Sequence, residues 1–575
     1  MIAGVGPAGA QAPLPTTPPF GDPTGRSGEP RPLPQEPLRP DTAPSQILPP
    51  LPPPGPRDAL PRVRVFVREI NVVGSTVFTS RELAVVTAPY VDREVTSEDL
   101  ETLRLALTRL YVDRGYINSG AVLPDQTIAE GVVTYHIIEG RLTGIDLAGA
   151  RWLREGYYRR RLARAGGPPL SINELQEQLQ LMLEDPRIER MNAALKPGIS
   201  PGYSLLDVRV EERFPISVWL DVNNYQSPSV GAERGIVTIE HLSLTGNADV
   251  LTLRYGRSEG LDPLLDFRYA FPVTPLDTVL AFQYRRNDVA VIEEQFRELS
   301  IESESEIFSV SLRQPVYRRP GTVFALELIG ERLSNETTLL GEPFSLEPGA
   351  EDGRMVVTAL RTAQELVHRT SNQVVAARSR FSVGIDALGS VVHDFDNRAE
   401  RGLPDSRFFT WLGQFQWVRR LDVFDAVGVP GVQLLFRADL QLTDDSLPTL
   451  EQIAIGGRYS VRGYRENTFV RDNAFLASLE ARIPLVTNRR WADYLQLAPF
   501  YDYGRGWNHR PLPDRAQLDI SSIGIGLRWG LNVRSPVIVR PQLEIYWGHP
   551  LRKVGTAGGD IQDEGLHFQL LMGFF

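Results

Sequence analysis

The feature that most limits the fold of this chain is a long series of short segments in which apolar residues alternate with polar or small ones. The series runs from Ile216 to Phe575, and clusters of Gly, Pro, Asp and Asn separate segments such as Val250–Gly256 and Leu280–Tyr284. Alternation with a period of two residues predicts β-strands that have one apolar face. We count about sixteen candidate strands, and an even number of roughly ten-residue strands is typical of single-chain outer-membrane barrels.

The end of the chain favours a membrane barrel over the soluble alternatives, a β-sandwich or a propeller. Every even-numbered position from Leu566 to Phe574 is apolar, whereas most odd-numbered positions are polar or glycine. One face of this strand is therefore expected to meet lipid and the other the lumen. The chain has no run of about eighteen apolar residues, so a membrane-spanning helix is not expected.

The first residues differ in composition from the rest. Of the 45 prolines, 19 lie within the first 61 residues, which predicts a Pro-rich disordered tether over 1–62. A ligand for a proline-reading module is the alternative. Ala10-Gln11-Ala12 has the small-residue pattern of a signal-peptidase site. The basic and apolar regions that normally precede such a site are missing, so both a signal-peptide remnant and a chance match stay open.

Two α+β units of similar order are predicted between the tether and the strand series, at 63–141 and 142–213. In the first unit, Thr96 and Asp99 form a capping-box pair before a helical pattern of leucines that ends at Gly115. In the second, Ser171 and Glu174 form such a pair. The predicted fold is mostly β: a transmembrane antiparallel β-barrel of about 16 strands preceded by the two α+β units.

Two short motifs in the barrel region carry an opposite pair of charges. Arg462 lies in Val461-Arg462-Gly463-Tyr464, and Asp502 lies in a Phe-x-Asp-x-Gly pattern that includes Phe500 and Gly504. A guanidinium inside a barrel needs a carboxylate partner, because an unpaired buried charge costs several kcal/mol, about 3 to 5. The glycine next to the arginine allows a close approach or a positive φ. A solvated loop arginine is the alternative interpretation.

Sequence patterns of catalysis are missing. The chain contains no GxxxxGK[ST] or HExxH motif, and its seven histidines are scattered. It has no cysteine, which removes disulfides and thiolate sites, and its net charge of -10 argues against a nucleic-acid partner. We therefore expect no enzyme activity, no cofactor and no metal site.

Together these parts resemble the two-partner secretion transporters of the TpsB type, the hemolysin and filamentous-hemagglutinin secretion/activation proteins within the POTRA-plus-barrel superfamily. The first α+β unit is similar to a POTRA domain through the following residues: Gly74, Phe78, Thr108, Tyr111, Gly115-Tyr116, Leu123-Pro124-Asp125-Gln126 and Ile138-Glu139-Gly140. The resemblance implies a bacterial outer-membrane pore with two periplasmic POTRA domains and a barrel over 214–575.

The resemblance also implies roles for individual segments and partners. An inward-folded lid loop at about 444–470 would carry Val461-Arg462-Gly463-Tyr464 and meet Asp502 of the barrel wall. Phe574 and Phe575 would form the C-terminal signal read by the barrel assembly machinery. The other implied partners are outer-membrane lipid and an unfolded secreted exoprotein of the adhesin or hemolysin kind.

The sequence departs from the family pattern in two respects, and it leaves two alternative functions open. The N-terminal stretch shows no charged amphipathic helix of the kind that plugs the pore in many relatives, and Phe574 rather than Phe575 follows the apolar stripe. An outer-membrane assembly factor that inserts other barrels is the leading alternative, although such factors usually have more periplasmic units. A passive diffusion porin is the third interpretation.

Overall fold

A computed structural model of the chain describes residues 64–575 except 129, 394–401, 429, 511–517, 535–536 and 556–557. The predicted tether over 1–62 lies outside the described residues. The described part separates into two compact units, an N-terminal unit that ends at Arg213 and a barrel unit that begins at Phe214. No helix in the described ranges is long and apolar enough to cross a membrane.

The described part of the N-terminal unit contains eight strands and four α-helices. Its strands are β1 (Arg64–Val67), β2 (Glu69–Val73), β3 (Arg93–Thr96), β4 (Gly120–Val122), β5 (Val132–Ile138), β6 (Arg141–Ala148), β7 (Ile188–Pro197) and β8 (Tyr203–Glu212). Its helices are α1 (Ser80–Thr87), α2 (Ser97–Asp113), α3 (Glu155–Ala165) and α4 (Ile172–Leu183). The strands form a β1-β3 pair and two three-stranded sheets, ordered β2-β5-β4 and β6-β8-β7. Each of the two larger sheets contains one parallel pair, β2 with β5 and β6 with β8.

Side-chain caps explain where the long helices start. The Thr96 side chain accepts a hydrogen bond from the Asp99 N–H, and the Asp99 carboxylate accepts one from the Thr96 N–H, so the predicted capping box begins α2. At α4 the Ser171 hydroxyl accepts from the Glu174 N–H. The apolar face of α2 is then buried in the core of the first sheet, through Leu100, Leu103, Leu107 and Tyr111.

Each of the two sheets ends in a glutamate that fixes the loop before the first helix. Glu139 accepts hydrogen bonds from the N–H groups of Thr76 and Val77 at 2.6 and 3.1 Å, and from the Tyr111 hydroxyl at 3.1 Å. A carboxylate that satisfies several donors at once locks a loop that would otherwise leave backbone groups unpaired.

Glu212 repeats this arrangement at the end of β8. Its carboxylate accepts from the three N–H groups of residues 151–153 at 2.5 to 3.3 Å and from the Tyr158 hydroxyl at 2.6 Å. The same kind of glutamate contact therefore occurs in each of the two α+β units, in addition to their similar order of elements.

The barrel unit is a closed antiparallel sheet. Its strands are β9 (Ile216–Asn223), β10 (Arg234–His241), β11 (Val250–Arg257), β12 (Leu261–Pro272), β13 (Val279–Ala290), β14 (Glu302–Arg319), β15 (Thr322–Leu339), β16 (Glu342–Pro343), β17 (Arg354–Arg369), β18 (Gln373–Ile385), β19 (Phe409–Arg420), β20 (Gln433–Leu442), β21 (Ile453–Ile455), β22 (Phe469–Arg471), β23 (Asn473–Arg489), β24 (Ala492–Trp507), β25 (Leu518–Gly530), β26 (Val533–Arg534), β27 (Ile538–Pro550) and β28 (Leu566–Phe574).

Sixteen of these strands form the wall, which confirms the predicted fold class. Eighteen strands belong to the closed sheet, and two of them, β16 and β26, are two-residue extensions beside the continuous pairings β15–β17 and β25–β27. The barrel closes where β28 pairs with β9. The separate β21–β22 pair lies in the connection between β20 and β23.

The alternating pattern explains which side chains face outward. On β10 the outward Val237 and Ile239 are 38% and 43% exposed, whereas Thr238 and Glu240, which alternate with them, are buried inside. At the chain end, Phe574 lies opposite Val218 of β9. The ring of Phe575 meets the ring of Trp219 edge-on, at a centroid distance of 4.9 Å. Both terminal phenylalanines therefore lie at the seam that closes the barrel.

We predict that Glu139→Ala destabilises the N-terminal unit by about 1 to 3 kcal/mol, because backbone donors lose their acceptor. Urea titration of the full-length protein with pulse proteolysis of this unit measures the effect. Glu94→Ala, which removes an exposed glutamate of β3, is the control, and equal midpoints for the two variants would contradict the assignment.

Glu139 also predicts a pH dependence. Burial disfavours its charge, but the hydrogen bonds from Thr76, Val77 and Tyr111 outweigh this effect and hold its pKa below the usual value. The contribution of Glu139 to the free energy of unfolding is therefore present above the pKa that this side chain has in the unfolded chain. It is lost as the pH falls through the lower pKa that Glu139 has in the folded protein. We expect the difference between wild type and Glu139→Ala to shrink on acidification.

Candidate functional site

The connection between β20 and β23, residues 443–472, is the segment that sequence analysis predicted as a loop at about 444–470. We call it the inner loop, because its side chains contact inward-facing residues of the barrel wall. The β21–β22 hairpin lies within it, and Ile453, Ile455 and Val461 pack against Leu476 of β23 and Ile520 of β25.

Arg462 of the inner loop is bound by two carboxylates of the wall. Its Nε donates to Asp502 Oδ2 at 2.8 Å and its Nη2 to Asp502 Oδ1 at 2.9 Å, the two-pronged geometry that suits a guanidinium. Its Nη1 donates to Glu480 Oε2 at 2.5 Å and its Nη2 to Ser478 Oγ at 3.1 Å. The residue is 2% exposed. The structure thus brings Arg462 and Asp502 together and completes the pair with a second carboxylate.

Aromatic rings cover the guanidinium. Its central carbon lies 3.6 Å from the centroid of the Phe500 ring and 4.9 Å from that of Tyr546. A cation over an aromatic face gains electrostatic attraction that grows when water is excluded. Phe500, two residues before Asp502 on the same face of β24, is therefore part of the arginine site.

Gly463 allows the loop to touch the wall. Its φ is +88°, and a Cβ at this position would lie 2.8 Å from the carbonyl carbon and oxygen of Gly548 on β27. Its N–H also points to Nε2 of His567 on β28, at 3.4 Å. Both properties that the sequence suggested for this glycine, a positive φ and a close approach, occur at once.

Gly504 and Tyr464 position the two sides of the arginine motif. A Cβ on Gly504 would lie 2.7 Å from Cγ2 of Val461, so the glycine of the wall motif makes room for the valine of the loop motif. The Tyr464 hydroxyl lies 2.9 Å from the carbonyl oxygen of Ser521 and 2.7 Å from that of Arg552.

Sequence reasoning missed the other residues of this site. Ser478 lies directly opposite Asp502 in the β23–β24 register, and Glu480 lies opposite Phe500. The polar residues on the inward face of β23 were a signal for them. Which of these residues lies beside Asp502 depends on the register between β23 and β24, which the sequence of one strand does not specify.

A second loop arginine enters the wall beside the first. Arg458 Nη2 lies 2.7 Å from Glu544 Oε2 of β27, and Arg528 of β25 holds the other oxygen of that carboxylate. The wall therefore presents carboxylates at two places and the inner loop fills both with guanidinium groups. Among the described residues, no set of three His, Cys, Asp or Glu side chains could hold a metal.

The chain is similar to known proteins in sequence and in structure. The family model described as haemolysin secretion/activation protein ShlB/FhaC/HecB matches residues 202–529, and the one described as POTRA domain, ShlB-type, matches residues 65–140. The outer membrane transporter CdiB of Dickeya dadantii (strain 3937) is 24% identical over 414 residues, which cover 70% of this chain and 69% of the relative.

A further relative and a solved structure also match most of the chain. The hemolysin transporter protein ShlB of Serratia marcescens is 23% identical over 444 residues, 72% of each chain. The structure of CdiB from Escherichia coli aligns with a TM-score of 0.66 at 20% identity and covers 91% of this chain and 93% of its own.

We predict that Gly463→Ala raises the resting conductance of the protein in planar bilayers. A non-glycine residue at this φ costs about 1 to 2 kcal/mol, and the added Cβ cannot fit beside Gly548 without moving the loop. Gly341→Ala is the matched control, because Gly341 has a φ of +80° and nothing within 4 Å of the added Cβ. Equal conductance in both variants would show that the close approach does not hold the loop.

Proposed function

Because the chain belongs to the haemolysin secretion/activation protein ShlB/FhaC/HecB family, we propose that this outer-membrane transporter exports an unfolded partner exoprotein past a lid formed by the inner loop. As a member of that family it is a two-partner secretion transporter with periplasmic POTRA domains, and not an enzyme. The proposal adds how the partner is recognised and how the pore is closed.

The observation that carries the lid proposal is the burial of Arg462 against wall carboxylates. A loop fixed inside the barrel by a two-pronged ion pair obstructs the path of a polypeptide, so export requires the loop to move. Removing one partner of a buried pair commonly costs about 3 to 5 kcal/mol. The Arg462 site is thus strong enough to decide between two positions of the loop.

Recognition of the partner is proposed to use a free strand edge of the POTRA domains. In the sheet β6-β8-β7 the ten-residue β7 pairs, among the described residues, only with β8. The other edge strand, β6, is partly occupied, since Arg159 donates to the Ile145 carbonyl and the Gly166 carbonyl accepts from the Leu142 N–H. An extended chain that adds to β7 would bind through backbone hydrogen bonds, which demand no single sequence.

The remaining partners follow from the two faces of the barrel. Its outward apolar face would meet outer-membrane lipid, and Phe574 and Phe575 at the closing seam would be read by the barrel assembly machinery. No nucleotide motif was found in the chain, so we propose that folding of the partner outside the cell drives export.

We predict that Arg462→Ala lowers secretion of the co-expressed partner at least tenfold. Without its anchor the loop has no defined closed position from which the arriving partner can trigger opening, so we expect export to fail although the loop is looser. One tenfold step corresponds to about 1.4 kcal/mol, less than the cost of leaving two carboxylates unpaired. Immunoblots of the medium measure secretion, and transporter abundance in the outer membrane shows whether the variant inserts. Arg505→Ala, which removes an exposed arginine of the same strand β24, is the control.

The same experiment separates export from barrel assembly. If the chain inserted other barrels, Arg462→Ala would reduce the outer-membrane content of unrelated barrel proteins. Normal secretion from an inserted Arg462→Ala variant would contradict the lid.

We further predict that an unfolded N-terminal fragment of the partner slows hydrogen exchange along β7. Added strand pairing protects backbone amides that now face solvent. Exchange of the full-length transporter with and without fragment measures this change, and β4 serves as the internal reference. Protection at another edge without protection of β7 would reject the choice of this strand.

A further inference from the structure

The start of the inner loop makes a further buried ion pair, with wall strands other than those that hold Arg462 and Arg458. Glu451 is held by Arg361 of β17, with Nη1 to Oε2 at 3.0 Å and Nη2 to Oε1 at 2.6 Å. The two side chains are each 1% exposed. Nε of Arg361 donates to Glu331 of β15 at 2.8 Å. This two-pronged pair has the same form as the Arg462–Asp502 pair, but the loop supplies the anion and the wall the cation.

The Glu451–Arg361 and Arg462–Asp502 ion pairs attach the loop to different parts of the barrel wall. Arg361 belongs to β17 and Asp502 to β24, which is the fifth wall strand after β17, counted as β18, β19, β20, β23 and β24. Of sixteen wall strands, this separates the pairs by about a third of the circumference. The inner loop is therefore fastened to the wall at β17 as well as at the strands that hold its arginines.

Apolar packing and a backbone contact accompany the second pair. Leu447 is 1% exposed and packs in a cluster with Leu333, Met355 and Val357 of the wall. The Thr449 N–H donates to the Glu347 carboxylate in the connection between β15 and β17. The residues 447–451 thus form a compact contact that is independent of the arginine motif.

The charges of this wall require a carboxylate from outside it. On the inward face of β13, β14, β15, β17 and β18, ion pairs join four arginines to three glutamates, namely Arg285, Arg313, Arg361 and Arg378 with Glu327, Glu331 and Glu365. Arg380 adds a further cation. It lies on the inward face of β18 two residues from Ser382, the partner of Arg361 in the register, and its buried Nε has no hydrogen-bond partner among the described residues.

We propose that Glu451 and Arg361 form a second anchor of the inner loop, which must release together with the Arg462 site before the pore opens. This inference rests on the proposed function of the loop as a lid. An excess of buried cations is unfavourable in a low-dielectric site. Glu451 reduces that excess only while the loop is inside, so the wall itself favours the closed position.

The absence of cysteine from the chain allows a direct test in the full-length protein. A single Leu447→Cys reporter is introduced, and a membrane-impermeant maleimide is added to intact cells. With Glu451→Gln the labelling rate should rise about tenfold or more, the effect expected for losing a charged hydrogen bond. Asp266→Asn, which neutralises a carboxylate of β12 bonded to Gln283, is the control and should label like the parent.

A charge exchange tests the pair itself. The variant Glu451→Arg with Arg361→Glu should return the labelling rate towards that of the parent, whereas either single reversal should raise it. Should Glu451→Gln not insert into the membrane, Glu451→Asp replaces it, because it keeps the charge but shortens the side chain and should give an intermediate rate. Labelling of Glu451→Gln at the rate of the Asp266→Asn control would overturn the second anchor.

Arg462→Ala with the same reporter separates the two proposals. If only Arg462→Ala labels faster than the parent, the lid proposal stands and the second anchor is rejected. Unchanged rates for both variants would reject the lid. Faster rates for each variant, and a larger increase for the two together, are the expected result.

Discussion

A guanidinium that leaves water for the inside of a β-barrel needs carboxylates already in place, and this requirement organises the site around Arg462. Desolvating two charges is unfavourable, and only good geometry with additional hydrogen bonds offsets the cost. Here Asp502 takes two of the arginine nitrogens, Glu480 takes the third, and the ring of Phe500 covers the face. The fold of the wall is thus arranged to receive one side chain of a loop that does not belong to it.

The same requirement explains why glycines surround the site. An arginine reaches a strand in the correct geometry only if the loop backbone comes close to the wall, and any Cβ in between prevents this. Gly463 and Gly548 meet backbone to backbone, and Gly504 leaves space for Val461. The two sequence motifs therefore combine a charged residue, which supplies attraction, with a glycine, which permits the contact.

The sequence predicted the parts of this structure that depend on local pattern. Period-two alternation indicated a barrel and its strand number, and the helix caps at Thr96 and Ser171 indicated where two helices begin. It suggested Arg462 and Asp502 as a pair because both stand in short motifs. It did not find Glu480, Arg458 with Glu544, or Glu451 with Arg361.

These missed contacts depend on strand register and on the path of the loop. An inward glutamate on β23 looks like any other lumen residue until the pairing places it opposite Phe500. Likewise, Glu451 and Arg361 are separated by 90 positions in sequence, and nothing in either segment alone indicates its partner. Which residues form such ion pairs depends on the register of several successive strands and on the path of the loop.

Charged anchors suit a loop that has to move, as we propose for this one. If the loop were held only by apolar packing, opening would expose that surface to water at the full cost of about 25 cal/mol per Å². An ion pair behaves differently, because water solvates both charges when the pair separates and recovers much of the lost Coulomb energy. The closed state can then be rigid and specific while its free energy lies only a little below that of the open state. The lumen of this barrel combines both kinds of contact, and the ionic ones are those that hydration can release.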